Sequence, residues 1–179
     1  SLTIAKVVAD GRIAAEAGHY TGPLPKIDWP DWATKTVKLD RVVTAEDFRI
    51  AAPSDAPVAK AALLRPFHWH DDFITMELPV ADGAVQRDES RNVTKFAIVD
   101  RFSGEAKVAK MFWLGTGPRT ADTALGATLG HDKHNIWVVG SSDEAMALVA
   151  NALGEQQGGW VLASGGQIVA RVGYEVGGL

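Results

Sequence analysis

Residues 126–140 read Gly-Ala-Thr-Leu-Gly-His-Asp-Lys-His-Asn-Ile-Trp-Val-Val-Gly. The apolar run Ile136–Val139, closed by Gly140, predicts a buried β-strand. The sequence continues with Ser-Ser-Asp-Glu at 141–144, which predicts a helix start, because Ser and Asp cap helices and acidic groups favour the positive end of the helix dipole. We therefore expect the rest of the fold to be arranged around this strand and helix.

The predicted helix continues over 145–153, and its apolar positions recur at helical spacing on one face: Met146, Val149, Ala150 and Leu153. Other apolar or alternating runs predict strands: Val58–Phe67, Asp72–Val80, Val93–Arg101, Val108–Leu114, Trp160–Ala163 and Gln167–Val172. The stretch 115–129 is small and glycine-containing, and Thr116-Gly117-Pro118-Arg119 within it is expected to be a loop. The pattern predicts a strand-rich α+β fold, with a mixed, mostly antiparallel sheet and few helices.

The N-terminal region is expected to be organised separately. Asp10-Gly11 between two short strands predicts a hairpin over residues 6–16, which must join a sheet supplied elsewhere in order to be stable. Prolines and a shift in composition at 23–57 predict an extended linker. We thus expect three regions, 1–22, 23–57 and 58–179.

The composition excludes several classes of protein. The chain has 179 residues, a net charge of −4 and a pI near 5.7, which give no electrostatic footprint for nucleic acid. It has no run of about 18 apolar residues, so no membrane span is predicted. The absence of cysteine rules out disulfides and fits a cytoplasmic protein. Both ends look cut, and we expect a fragment of a longer, truncated protein.

A polar cluster precedes the central strand and consists of His131, Asp132, His134 and Asn135. One interpretation is a binding or catalytic loop, in which a histidine transfers protons near neutral pH. The alternative is a polar turn in which the Asp and Asn side chains bond nearby backbone groups. A metal site is the weaker interpretation, because histidines three apart share a face only on a helix.

A second histidine pair, His68 and His70, has the His-X-His spacing of many metal-ligand strands. The alternative is a polar hairpin between two strands, because two ligands alone do not make a site. A small metal-binding protein using His68, His70, His131 and His134 therefore stays open as a hypothesis.

Several stretches in order resemble the C-terminal domain of bacterial adenine deaminases, which belong to the amidohydrolase superfamily of hydrolases. The matching segments are Asp47–Ile50, Glu77–Gly83, Phe96–Arg101, Gly126–Gly140, Asp143–Leu148 and Gly158-Gly159. The one departure noted is Lys133, where the family pattern usually carries serine. The hairpin at 6–16 resembles the edge of the small β-domain that flanks the barrel in these enzymes, which makes 1–22 a remnant of that domain.

The resemblance implies an enzyme of purine metabolism that converts adenine and water to hypoxanthine and ammonia. It places a divalent metal (manganese, iron or zinc) in a (β/α)₈ barrel of the same chain, which needs roughly 250 residues and is absent from this sequence. We therefore expect no cofactor and no metal in this part, and no activity when it is alone. The loop residues His131, Asp132, His134 and Asn135 are expected to face the barrel and contact the aminopurine or shuttle protons.

The alternative function is a non-catalytic interaction or regulatory module built on the same α+β domain. The sequence leaves a homo-oligomer open and predicts neither a nucleic-acid nor a membrane partner.

Overall fold

The computed structural model describes residues 3–24, 26–67, 70–131 and 133–179. Within these residues strands predominate, and the α+β prediction is confirmed. The strands are β1 Lys6–Ala9, β2 Arg12–Glu16, β3 His19–Tyr20, β4 Val58–Phe67, β5 His70–Ala81, β6 Ala84–Val85, β7 Val93–Val99, β8 Val108–Leu114, β9 Thr123–Ala127, β10 Ile136–Gly140, β11 Gly159–Ser164 and β12 Gln167–Gly173. The helices are α1 Asp31–Thr34, α2 Ala45–Phe48 and α3 Asp143–Glu155, with a 3₁₀ turn at Glu89–Arg91. No helix in the described ranges is long and apolar enough to cross a membrane.

The first three strands form a small antiparallel sheet in the order β1-β2-β3. The predicted hairpin is confirmed, and its turn residues Asp10 and Gly11 both have positive φ, 50° and 72°. Such a turn matches the right-handed twist of the two strands. The assignment of 1–22 to a separate flanking domain stays a prediction, as do the bounds 23–57 and 58–179.

The remaining described strands form one sheet in the order β12-β11-β9-β10-β7-β8-β4-β5-β6. Neighbouring strands in this sheet pair antiparallel, except for β4 and β8, which pair in parallel. The prediction of a mixed, mostly antiparallel sheet is therefore confirmed. The central strand β10 lies between β9 and β7.

Helix α3 packs on one face of this sheet and closes the main core. Ser142 caps the helix, as predicted, by accepting a hydrogen bond from the backbone N–H of Ala145. The four predicted core positions of the helix are all fully buried: Met146, Val149, Ala150 and Leu153. They meet alternate residues of the central strands, such as Val138, in a single hydrophobic cluster.

Strand β9 was not predicted from the sequence, which indicated only a small, glycine-containing stretch at 115–129. On the side that faces α3, its residues Ala124 and Gly126 are small because the helix crosses directly above this strand. A Cβ on Gly126 would lie 2.7 Å from Val149 Cγ1 and 2.8 Å from the carbonyl oxygen of Trp137. Small residues lack the apolar alternation that marks a strand, so the sequence pattern failed here.

The segment before β4 also contributes to the core. Val37, Val43 and Phe48 are buried in the cluster under α3. The side-chain amides of Asn151 and Gln157 bond both the N–H and the C=O of Val43 and Val37, respectively. Each amide pairs with the backbone N–H and C=O of one residue, as a neighbouring strand would. The two amides thereby fix the segment against the C-terminal end of α3 and the residues that follow it.

Candidate functional site

The candidate site is the loop 128–135, which links β9 to β10. It lies at the entrance of the central strand, where the sequence placed it. His131 is exposed, and His134 and Asn135 are half-buried. Asp132 lies outside the described residues. Lys133, the departure from the family pattern, is exposed.

His134 adopts a left-handed backbone conformation, with φ of 50°. This conformation is uncommon for residues other than glycine, although His, Asn and Asp adopt it more readily than most. The N–H of His134 donates to the carbonyl oxygen of Gly130 at 2.9 Å, and its Nδ1 accepts from the N–H of Gly130 at 3.4 Å. In the neutral ring this second bond places the proton on Nε2, which makes Nε2 a hydrogen-bond donor.

Asn135 connects the loop to the segment that follows β7. Its side-chain oxygen accepts a hydrogen bond from the backbone N–H of Arg101 at 3.4 Å. Arg101 is only 2% exposed, and its Nη1 donates to the carbonyl oxygen of Gly177 at 3.0 Å. Its guanidinium also lies 4.9 Å from the centre of the Phe102 ring, a cation–π contact.

Arg101 brings a buried cation next to the loop. Burial lowers the pKa of its guanidinium, but arginine keeps its proton in proteins. In the described residues, its Nε has no hydrogen-bond partner. Arg101 lies in a segment that matches the family, but the sequence pattern predicts no role for it. The signal that could have found it is an arginine at the end of the alternating apolar run 93–101.

Asp100, beside this arginine, stays ionised and closes a turn. The Ser103 hydroxyl, followed by the backbone N–H of Phe102, lowers the pKa of Asp100 by donating hydrogen bonds to it. These bonds order the chain immediately after β7. The turn therefore holds the Arg101 backbone where Asn135 can bind it.

Two further contacts fix the start of the loop. Thr128 is fully buried; its hydroxyl donates to the carbonyl oxygen of Gly178 and accepts from the N–H of Gly159 at 2.7 Å. The indole N–H of Trp137 donates to the carbonyl oxygen of Leu129 at 2.8 Å. The loop is thus held at both ends, while between them His131 is exposed and His134 is half-buried. Such an arrangement can donate, accept and transfer protons at a surface that is fixed in position.

Metal binding was the other interpretation of the histidines. Among residues 3–24, 26–67, 70–131 and 133–179, no group of three or more His, Cys, Asp or Glu side chains is placed to hold a metal ion. His68 lies outside the described residues, as does the His70 side chain, so the hypothesis of a site at that pair stays a prediction.

Comparison with known proteins identifies the family. The profile of the adenine deaminase C-terminal domain matches residues 71–179, which include β5 to β12 and the loop. A protein of Jannaschia sp. (strain CCS1), named adenine deaminase 2, is 66% identical over the whole chain. Adenine deaminase 2 of Bradyrhizobium diazoefficiens is 60% identical over 99% of the chain, and adenine deaminase of Clostridium botulinum is 33% identical over 98%.

The chain spans less than a third of the length of these relatives, 29%, 28% and 29% respectively. The family profile, however, matches well over half of the chain itself. The chain therefore belongs to the adenine deaminase C-terminal domain family.

Proposed function

We propose that this chain is the C-terminal part of an adenine deaminase, an enzyme that hydrolyses adenine to hypoxanthine and ammonia. The observation that carries the proposal is the match to the C-terminal domain family, together with relatives of that name at up to 66% identity. The described residues do not fit a metal site, so we assign the divalent metal to a barrel elsewhere in the polypeptide. On this proposal the 179-residue chain has no deaminase activity alone.

The loop 128–135 is proposed to face the barrel and act on the purine. The Nε2–H of neutral His134 can donate to a purine nitrogen, and the imidazole can carry a proton between the substrate and water. His131, on the same short loop, and Asp132, its neighbour in sequence, would share this role. Asn135, whose side-chain oxygen accepts from the Arg101 N–H, would fix the position of the loop relative to the end of β7.

We further propose a cytoplasmic location, because a chain without cysteine needs no oxidising compartment in order to fold. A homo-oligomer is compatible with this proposal, and neither nucleic acid nor membrane is required as a partner. The competing function is an interaction module without chemistry. It predicts that the loop side chains can be changed without loss of turnover.

The test is ammonia release from adenine by this chain and by the intact polypeptide, each with added Mn²⁺, Fe²⁺ or Zn²⁺. We expect activity in the intact polypeptide alone. Activity in the isolated chain would contradict the assignment of the metal to a barrel.

The loop is tested in the intact polypeptide with His134→Asn. Asn tolerates the left-handed backbone but cannot transfer protons near neutral pH, so the fold is kept while the chemistry is lost. We expect kcat to fall about 100-fold or more, the usual contribution of general acid–base catalysis. The matched control is His19→Asn, on an exposed position of β3, which should leave kcat unchanged. Equal kcat in the two variants would return the loop to the polar-turn interpretation.

A further inference from the structure

The sheet face opposite α3 is apolar across six adjacent strands. The strand register places one row of side chains side by side on this face: Val172, Trp160, Ala127, Trp137, Ile98 and Ala109. Residues directly opposite each other in antiparallel strands point to the same side of a sheet. We call this surface the tryptophan face.

The next row along the strands is equally apolar. The register aligns Leu162, Leu125, Val139, Phe96 and Met111 across β11, β9, β10, β7 and β8. An antiparallel sheet with one face in water normally alternates apolar and polar residues along each strand. Here both faces of the central strands are apolar, which is the pattern of a sheet covered on both sides.

The aromatic side chains on this face form ordered pairs. Trp137 and Trp160 pack edge to face with centroids 5.3 Å apart, and Phe96 and Trp113 do so at 4.5 Å. Beside them the loop 116–118 borders an apolar groove of about 380 Å³. Gly117 has φ of 121°, and a Cβ there would lie 2.7 Å from Val139 Cγ2, so this loop lies directly on the face.

The tryptophan face is continuous with the candidate site. Trp137 lies on the face, and its indole N–H holds the carbonyl oxygen of Leu129 at the start of the loop. A body that packs on the face would therefore come into contact with the loop 128–135 as well.

The size of the face fits a domain interface. Six strands about 4.8 Å apart span about 24 Å, and the two rows cover roughly 14 Å along the strands. The resulting area is about 340 Å² on one side, or about 680 Å² summed over both partners, which lies at the lower end of the range for interfaces between domains of one chain. It exceeds what a single purine ring would cover, so a small ligand does not account for it.

We propose that the tryptophan face is the surface on which the remaining part of the same polypeptide packs. The chain covers 29% of the Jannaschia relative, so most of such a protein lies outside the described domain. This inference rests on the proposed function only in taking that remaining part to be the metal-binding barrel. Packing there would fix the loop 128–135 against the barrel.

Cysteine labelling of the intact polypeptide tests the interface. The chain has no cysteine, so single cysteines can be introduced at Ile98 and Val172, which are 36% and 57% exposed on the face. The matched control is Val42→Cys, which is 72% exposed and lies away from the face, beside α3. Labelling of each cysteine by a maleimide is followed by mass spectrometry of the peptide that contains it. The labelling rate in the folded protein is divided by the rate of the same cysteine in the urea-unfolded protein, which corrects for its intrinsic reactivity.

We expect Ile98→Cys and Val172→Cys to label more slowly than Val42→Cys, by about tenfold or more, at every protein concentration. Equal rates at the three positions would overturn the inference. Protection that disappears on dilution would overturn it too, because it would assign the face to a second copy of the chain. Ammonia release is measured on the same samples: protection without deamination would refute the proposed function and keep the interface, and deamination without protection would do the reverse.

Discussion

Removing Asp143 should destabilise the fold far more than removing its partner, Lys95. Lys95 Nζ lies 2.5 and 2.8 Å from the two carboxylate oxygens of Asp143, and it also donates to the carbonyl oxygen of Phe48 at 3.5 Å. The Lys95 side chain is 9% exposed, whereas that of Asp143 is 20% exposed and lies in the first turn of α3. Asp143→Ala therefore leaves a buried ammonium without a counter-charge, which costs about 3–4 kcal/mol.

Lys95→Met is the milder change. It replaces the ammonium with an apolar side chain of similar length, and the carboxylate left behind still has water and the positive end of the helix dipole. We expect Lys95→Met to cost roughly 1–2 kcal/mol. The double variant should cost little more than Lys95→Met alone, because the unpaired ammonium is then gone.

The assay is urea unfolding at pH 7 followed by circular dichroism, with ΔG from linear extrapolation. The matched control is Glu144→Ala, an exposed acidic residue in the same helical turn, which should change ΔG by about 0.5 kcal/mol or less. The reasoning is refuted if Asp143→Ala costs no more than Glu144→Ala, or if Lys95→Met is the more damaging of the two.

Two further perturbations test the packing around α2 and α3. The Arg41 guanidinium, by its hydrogen bond, lowers the pKa of Asp47 from 3.8 to about 2, so this pair stabilises the fold above about pH 4 and the contribution is lost as the pH falls towards 2. Asp47→Asn should thus lower the free energy of unfolding by about 1–2 kcal/mol at pH 7 and by progressively less below pH 4, measured by urea unfolding across that range; a loss that does not depend on pH would contradict the pairing. Gly126→Ala should cost about 1–3 kcal/mol, because its methyl would overlap Val149, whereas the control Gly173→Ala has open space at Cβ and should be nearly neutral in a thermal melt.

The sequence predicted those elements whose side chains follow a simple period. Strand β8 occupies the predicted range Val108–Leu114, and β10 and the core positions of α3 were also identified correctly. In these elements, the apolar or polar character of each residue follows from whether it faces the core or the solvent, so the periodicity of the sequence predicts the structure. In β9 the close packing of α3 limits the size of the side chains, and this long-range contact leaves no periodic pattern in the local sequence.

The candidate site shows the same division. The loop was found from its density of imidazole and amide groups, which is a local property. Arg101 was not recognised, because its burial depends on Gly177, which is 76 residues further along the chain. A residue whose environment is built by distant segments cannot be identified from its neighbours in sequence.

The central strand itself argues for a second cover on the sheet. Ile136 and Val138 point to α3 and are fully buried, whereas Trp137 and Val139 point to the other face. A strand with one face in water would carry polar residues at these two alternate positions. Instead the run Ile-Trp-Val-Val is apolar throughout, as in strands buried on both faces. Since α3 covers one side, and the loop 116–118 on the other side covers Val139, we expect a further layer over Trp137, which would also contact the loop that Trp137 holds.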